Sequence, residues 1–420
     1  MHSGLVNLNS YSQWNTDVYD EISIDDFCCL SDFKNGIYRI SSGKVTIDFL
    51  LNGFDKIKSD VCLVFFQGAI TNRNNTLPPY FTGMGIAEKL GHPFISIADP
   101  TISLDDSLTL SWYAGNKDDS LVPYKIARLL DYVANLLGFK LVLIGGSGGG
   151  FSVLVQSCIL TSKATAIVWN PQTSIENYSS RFVSNYMKVA FDNDWVSFID
   201  TKPKEDLIKH KAVEILRERK ILHSILGLNI SYNIELLYLQ NKDDWHVQSH
   251  LKPFLKNREI ERISRTSFYL DDNAALHIGD WGKGHTPPPK EVIKDIIMQV
   301  ADSTKSVREI AYNLSFDSHD DFIPLISVDS EFKDFNPSLY FNEGREDLTI
   351  NVVLPDNFMA NENFKCAIYL YRNNERMHVC WYQDEFKFKV KGGGGQGVNA
   401  VKVFLKDIFG DVLSKFISLK

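Results

Sequence analysis

From Gly36 onward the apolar positions fall into short runs, and the spacing between those runs turns helical. Ile37 to Ile40 and Lys44 to Leu51 are rich in β-branched and aromatic residues and are divided by Ser-Ser-Gly, which predicts a hairpin entering a sheet. Val61 to Phe66 is an unbroken apolar run, the pattern of a strand buried on both faces, and it ends in Gln67-Gly68-Ala69. Pro93 to Ala98, Lys140 to Ile144, Ala164 to Trp169, Ile234 to Leu239 and Thr266 to Leu270 predict further strands. Helical spacing covers Val122 to Leu137, the stretch from Gly149 onward, and Pro289 to Ala301. Strand and helix in turn give an α/β architecture, a mostly parallel sheet wrapped by helices. Residues 1–35 show no clear period and read as an N-terminal extension. Tyr178 to Leu228 is rich in helix formers; such an insertion either sits above the strand ends as a cap or packs as extra helices on the sheet edge, and the pattern leaves both open.

Past Ala301 the period changes again. A polar connector, Asp302 to Asp321, precedes alternating runs at Leu348 to Leu354, Lys365 to Tyr371, Phe386 to Val390 and Ala400 to Leu405. They are punctuated by Asn373-Asn374, Gly392 to Gly395 and Gly410-Asp411. This predicts a C-terminal β-sandwich over residues 322–420, after a domain over 36–303 whose helical insertion spans about 178–228. The four-glycine run reads as a hairpin tip, because no helix follows it to make a phosphate loop. Tyr369, Tyr371, Trp381 and Tyr382 offer stacking faces for sugar rings, but alternating strand spacing favours a place in the core.

Composition narrows the function classes. A chain of 420 residues exceeds what one core usually organises, so two domains are expected, and a hydrophobic share of 44% is enough to fill them. The net charge of −8 and the lack of a long Lys/Arg block argue against nucleic acid as a partner. No run reaches the length of a membrane span and the N-terminus lacks the order of a signal peptide, so a cytoplasmic location is expected. Cysteines 28, 29, 62, 158, 366 and 380 have neither zinc-site spacing nor disulfide-scaffold density and are expected as reduced thiols, with no metal site.

The chemistry concentrates at Gly145-Gly146-Ser147-Gly148-Gly149, a G-x-S-x-G sequence placed after an apolar strand and before a helix. A serine on so sharp a turn needs flanking residues without side chains, and its exposed hydroxyl is then set up as a nucleophile. Dinucleotide and Walker A readings fail: the glycine spacing is broken by Ser147 or Phe151, and no GK[ST] follows. The remaining alternative is a tight strand-to-helix turn whose glycines serve packing alone.

A serine hydroxyl requires a base oriented by a carboxylate. Asp244 follows the strand Leu236 to Leu239 on a loop, with Asn241 three positions before it as the turn residue; neighbouring Asp243 is its rival, and Asp271 and Asp272 come next. His285 lies on the glycine-rich loop Gly279 to Gly284, just before the last helix, whereas His246 and His277 lack that setting. Stabilising an oxyanion takes two backbone N–H donors: Gly148, after the nucleophile, and Ala69, after the Val61 to Phe66 strand.

The elbow, the Asp loop, the His loop and the strand order from about Gly36 to Ala301 resemble the α/β-hydrolase superfamily. Gln67-Gly68-Ala69, Ala98-Asp99-Pro100, Trp112-Tyr113 and Asn170-Pro171-Gln172-Thr173 resemble hydrolase-fold proteins of bacterial surface-glycan pathways, among them capsule O-acetyltransferases and the acetyltransferase component of the accessory secretion system. Gln67 departs from the histidine usual at its place. The resemblance implies acyl transfer through an acyl-enzyme at Ser147, by an esterase or an O-acetyltransferase acting on a bacterial surface glycan. No resident cofactor is implied; acetyl-coenzyme A would be the donor substrate of a transferase, although no donor site is legible. A carbohydrate or other ester is the expected partner, with self-association through the C-terminal domain a further expectation. A peptidase or lipase with the same triad, and a non-catalytic scaffold in a glycan-assembly or secretion complex, stand as the other readings.

Overall fold

The computed structural model describes residues 10–42, 45–71, 73, 76–256, 258–302, 305–317, 335–343, 347–355, 364–391, 397–407, 410 and 412–419. Two compact units emerge. One holds the chain up to Glu259 with Leu270–His277 and Trp281–Ala311; the other holds Ile260–Tyr269, Ile278–Asp280 and Tyr312–Lys420. Among the described residues no helix is long and apolar enough to cross a membrane.

The first unit is built on strands β1 (Val18–Ile22), β2 (Gly36–Ser42), β3 (Val45–Asn52), β4 (Val61–Phe66), β5 (Phe94–Ile97), β6 (Lys140–Gly146), β7 (Ala164–Trp169) and β8 (Ile234–Asn241). β9 (Ile260–Arg262) and β10 (Ser267–Leu270) group largely with the second unit, and β11 (Ala274–Gly279) follows them. The sheet order is β1-β2-β3-β5-β4-β6-β7-β8-β11. β3 runs antiparallel to both its neighbours, while β5, β4, β6, β7 and β8 are mutually parallel. Every residue of β4 is buried, as its unbroken apolar run requires. The architecture is the α/β-hydrolase fold: a mostly parallel sheet, wrapped by helices, with a helix springing directly from the end of β6.

The register fixes where chemistry can occur. Phe66 pairs with Gly145, Gly145 with Val168, and Trp169 with Leu239, so the carboxyl ends of β4, β6, β7 and β8 line up. The loops that leave those ends emerge along one edge of the sheet, the usual place for ligands in parallel α/β sheets. Helices Ser180–Ala190, Asp192–Ile199 and Glu205–Glu218 fill the insertion after β7. The first of them lies over the site-bearing loops: Tyr186 donates to the Gly115 carbonyl at 2.7 Å, and Asn185 to that of Ser107 at 2.8 Å.

Two segments differ from their sequence patterns. Val18–Ile22 pairs in parallel with β2, and the residues after it bury Phe27 and Phe33 in an aromatic cluster with Tyr38, Phe54 and Tyr132. A half-exposed strand of five residues is too short to show a period; the readable signal was the Ser23/Asp26 capping box of the helix Ile24–Phe27. Within the expected connector, Val307–Asp317 is helical, started by Ser306 and Glu309, which cap each other, and burying Val307, Ile310 and Ala311 at helical spacing.

The second unit contains two antiparallel sheets: β12 (Ser338–Glu343), β13 (Asp347–Val353) and β16 (Lys387–Lys391) in one, β15 (Glu375–Gln383), β14 (Lys365–Arg372), β17 (Ala400–Lys406) and β18 (Val412–Ser418) in the other. Ile350, Val352, Phe388 and Val390 from the first pack with Cys366, Ile368, Leu370, Val401, Val403 and Leu405 from the second in one core, a β-sandwich. The Asn373-Asn374 turn joins β14 to β15 with both residues at positive φ, as a tight hairpin demands. The Gly392 to Gly395 run lies outside the described residues. The aromatic residues expected in the core are not there. Cys366, Ile368 and Leu370 take the inner face of β14, so the pleat sends Tyr369 and Tyr371 outward, where Tyr369 meets Trp381, itself 71% exposed. Lys406 lies over the Tyr382 ring.

Candidate active site

β6 ends at Gly146, and Ser147 opens the helix Ser147–Ile159 with φ of +53°, a left-handed conformation that a serine adopts only where its surroundings force it. Two glycines make room for that turn. A Cβ on Gly145 would lie 2.6 Å from the Gly149 carbonyl, and one on Gly149 would strike the Phe66 carbonyl and lie 2.8 Å from the Gln67 carbonyl carbon. Side chains at either position would push the helix away from β4 and β6.

The loop after β4 packs onto this elbow. A Cβ on Gly68 would stand 3.2 Å from the Gly146 carbonyl and 4.0 Å from the Gly148 nitrogen, so the backbone of Gln67 to Ala69 runs alongside Ser147. Gly148 is the second residue of its helix, so its N–H has no acceptor in a preceding turn. Ala69 N–H makes no backbone hydrogen bond among the described residues, whereas the next residue, Ile70, donates to the Thr109 carbonyl at 2.8 Å.

Asp244 and His285 are joined. His285 Nδ1 donates to Asp244 Oδ2 at 2.6 Å; the carboxylate is fully buried and the imidazole about one-third exposed. The other carboxylate oxygen accepts from the His246 backbone N–H at 3.0 Å. Asp243 is exposed, and Asp271 is held by Arg258 on a different part of the fold, so geometry brings Asp244 alone of these acids to His285. Asn241, the turn residue of the Asp loop, clamps the His loop: its amide donates to the Gly282 and Gly284 carbonyls, each at 2.7 Å, and its oxygen accepts from Trp281 N–H at 3.0 Å. Asn170 ties both loops to β7, accepting from Asn241 N–H at 2.7 Å and donating to the Thr286 carbonyl at 2.8 Å.

Among the described residues Ser147 forms no hydrogen bond with His285. Its hydroxyl accepts from Gln172 Nε2 at 3.2 Å, and the carboxamide oxygen of Gln172 accepts from the buried Trp112 indole, which fixes the orientation of the amide. Tyr178 stands beside the same hydroxyl: burial first, then the Asp244 charge, raise its pKa, and Ser147 opposes them. Gln172 was not singled out by triad logic, yet it belongs to the Asn170 to Thr173 segment noted in the sequence. The other such segments converge here as well. Asp99 accepts from Tyr113 N–H at 2.8 Å, and the Tyr113 hydroxyl accepts from Gln67 N–H at 2.9 Å, so Asp99 holds the loop of Ala69 at one remove. Burial, opposed by these hydrogen bonds, pushes the Asp99 carboxyl up to about 6. Trp112 and Tyr113 both sit at positive φ, strain that this network holds in place.

His246 and His277, the competing histidines, are buried, and burial pushes both down to about 3. His246 Nδ1 donates to the Asn170 carbonyl at 2.8 Å, so that nitrogen carries the proton and presents no lone pair. Asp244, His246 and His285 offer ligand atoms within 4.8 Å of one another, and the Nδ1 of each imidazole is turned to an acceptor, so only the Nε2 atoms are left to face a ligand.

No protein-family model matches this sequence, and no curated protein does. Among solved structures, an acylaminoacyl peptidase from Pyrococcus horikoshii is similar at 14% identity and TM-score 0.40, over 68% of this chain and 45% of that one. An acetyl xylan esterase from Paenibacillus sp. R4 is similar at 13% identity and TM-score 0.37, over 67% and 92%. A carboxylesterase from Bacillus subtilis is similar at 12% identity and TM-score 0.32, over 66% and 94%.

Proposed function

We propose that the protein is a serine enzyme that transfers an acyl group through an acyl-enzyme at Ser147. The observation that carries this reading is the pairing of a fully buried Asp244 with His285 at 2.6 Å on loops that leave the same sheet edge as the left-handed Ser147 elbow. In this scheme His285 Nε2 takes the Ser147 proton as Oγ attacks the carbonyl carbon of an ester, and Asp244 holds the imidazole in the required tautomer and stabilises its charge. The N–H groups of Gly148 and Ala69 receive the oxyanion. The intermediate then collapses, with His285 giving its proton to the leaving alcohol. The Gln172 amide fixes Oγ without taking up the hydroxyl proton, which His285 needs to remove.

The acceptor in the second half of the reaction decides between esterase and O-acetyltransferase. Water would release the acid; a sugar hydroxyl, deprotonated by His285, would carry the acyl group onward. We assign a bacterial surface glycan as the ester-bearing substrate or the acceptor, with acetyl-coenzyme A as donor if the enzyme is a transferase. The likeness of the Gln67, Asp99, Trp112 and Asn170 segments to glycan-pathway proteins supports this, because all four meet around Ser147. The test is product analysis: wild type and Ser147→Ala are incubated with acetylated glycans, and with acetyl-coenzyme A plus unacetylated glycans. Serine-dependent acetate release or glycan acetylation supports the reading; neither product, with an activated aryl ester still turned over, would move the substrate to another ester class.

A further inference from the structure

A concave site made wholly of first-unit residues lies near Ser147. It is a cavity of about 700 Å³ between the helices Ser180–Ala190 and Asp192–Ile199 and the loops bearing Thr71 and Thr109. Arg181 and Lys188 line it from one helix; seven residues apart, they are two turns distant and share a face. Among the described residues neither forms an ion pair and no carboxylate lines the cavity, although the chain as a whole carries a net charge of −8. Trp195 is a further wall residue. It is fully buried, and its indole N–H has no hydrogen-bond partner among the described residues, an unsatisfied donor that a folded protein normally avoids.

We infer that this cavity is an anion subsite that holds a phosphate or carboxylate group carried by the substrate of Ser147, a deepening that rests on the acyl-transfer reading. An acyl pocket for a plain aliphatic chain would be lined by apolar side chains. Here the two cations share the lining with Thr71, Ser107, Thr109 and Ser184, and a guanidinium with added O–H donors is the recognition chemistry of an oxyanion group. Its position links it to the reaction. Phe182 in its wall packs on Tyr178, with ring centroids 5.2 Å apart, and Tyr178 faces the Ser147 hydroxyl. Thr109 holds Ile70, the residue after Ala69, and the side chain of Leu110 lies where a Cβ on Gly148 would come within 2.5 Å of it. The cavity wall is therefore one residue removed from groups that touch Ser147 and Gly148, near enough for a substrate held at Ser147 to extend into it.

The test pairs binding with kinetics. Inorganic phosphate and malonate, as the two anion probes, are titrated into wild type, Arg181→Gln, Lys188→Gln and the double variant by calorimetry and as inhibitors of the hydrolysis of aryl esters that carry an anionic group. The account expects at least one probe to bind and to compete with such an ester. Each single change should weaken it about tenfold, the worth of one charge-assisted hydrogen bond, and the double change should abolish it. Preference for phosphate or for malonate identifies the group. For esters that carry the preferred group, KM should rise about tenfold in each variant, while kcat for a neutral aryl acetate stays within about twofold. The subsite is refuted if neither anion binds wild type, or if both bind the double variant as tightly. Labelling of Ser147 by a fluorophosphonate in every variant separates the two claims: labelled protein without anion binding overturns the subsite alone, and unlabelled folded protein overturns the acyl-transfer reading while the calorimetry still judges the cavity.

Discussion

The sheet edge around Ser147 and the outer face of the β15-β14-β17-β18 sheet depart from the oil-drop rule in opposite directions. At the first, polar groups go inside: Asp244, Asn170, Gln172, Asn241, Asp99 and His246 are all buried. At the second, large apolar groups stay out: Trp381 at 71% exposure and Phe416 at 45%. Buried polar groups and exposed apolar ones are the informative exceptions in a folded chain. The difference between these two lies in what compensates them. Asp244, Asn170, Gln172, Asn241 and Asp99 each have at least two hydrogen bonds of defined geometry, so the network acts as a unit that aims His285 and the loop of Ala69. The outer face is held by ring-to-ring contacts such as Tyr369 with Phe404 and Tyr371 with Phe416, and by cations laid over rings, Arg376 on Tyr369 and Lys402 on Phe404, contacts that solvent weakens. Substitution should therefore be costly and specific at the first and nearly neutral for stability at the second.

The sharpest test on the network side is the pair of neighbouring aspartates. Asp244→Asn should lower turnover of an activated ester by about 10⁴, since the wrong tautomer of His285 would be held, while Asp243→Asn, at an exposed side chain, should change it less than about tenfold. Comparable losses in the two variants would mean that the carboxylate of Asp244 does not orient the base.

Asn241→Ala should come next. It removes three hydrogen bonds that hold the His loop without touching the reacting groups, so kcat should fall about 10²-fold with KM little changed. Equal falls in activity and folded fraction, followed by thermal denaturation, would make Asn241 a structural residue only.

On the sandwich side the contrast is in stability. Ile368→Ala, inside the core, should cost about 2–5 kcal/mol, and Trp381→Ala, on the outer face, no more than about 0.5 kcal/mol, as read by urea denaturation. A large loss at Trp381 would mean that the outer aromatics carry the sheet.

The smallest effect expected is a pH slope. Burial holds His246, His250 and His277 down at about 3 in the folded protein, with the charges of His250 on His246 and of His285 on His250 adding to it. Unfolded, each takes up a proton near pH 6.5. Below that pH the unfolded state binds more protons, so stability falls as pH falls, by up to about 1.4 kcal/mol per pH unit for each imidazole. His277→Gln should make the dependence of unfolding free energy on pH shallower by about one such share between about pH 4 and 6.

The two regions also differed in how much of them the sequence displayed. The elbow was legible because glycine is dictated by local sterics: no other residue fits at Gly145 or Gly149. The parallel strands were legible because full burial writes an unbroken apolar run, as in β4. Choosing Asp244 over Asp243 depended on the turn at Asn241, and the clamp that Asn241 makes on the His loop explains why that turn mattered. Gln172, Trp112 and the Asp99 to Tyr113 link left no periodic trace, since each acts through a contact made only when distant segments meet. The outer aromatics misled for a related reason. Alternation assigns residues to two faces of a strand but does not say which face is inside, and β14 carries apolar side chains on both.

The central claim, that Ser147 is a nucleophile activated by His285 and Asp244, is tested most directly by fluorophosphonate labelling followed by peptide mass mapping. The account predicts a single stoichiometric adduct on Ser147, absent from a folded Ser147→Ala protein and slowed by orders of magnitude in Asp244→Asn. A folded wild type that takes up no label, or one whose adduct maps to another residue and persists in Ser147→Ala, would contradict it.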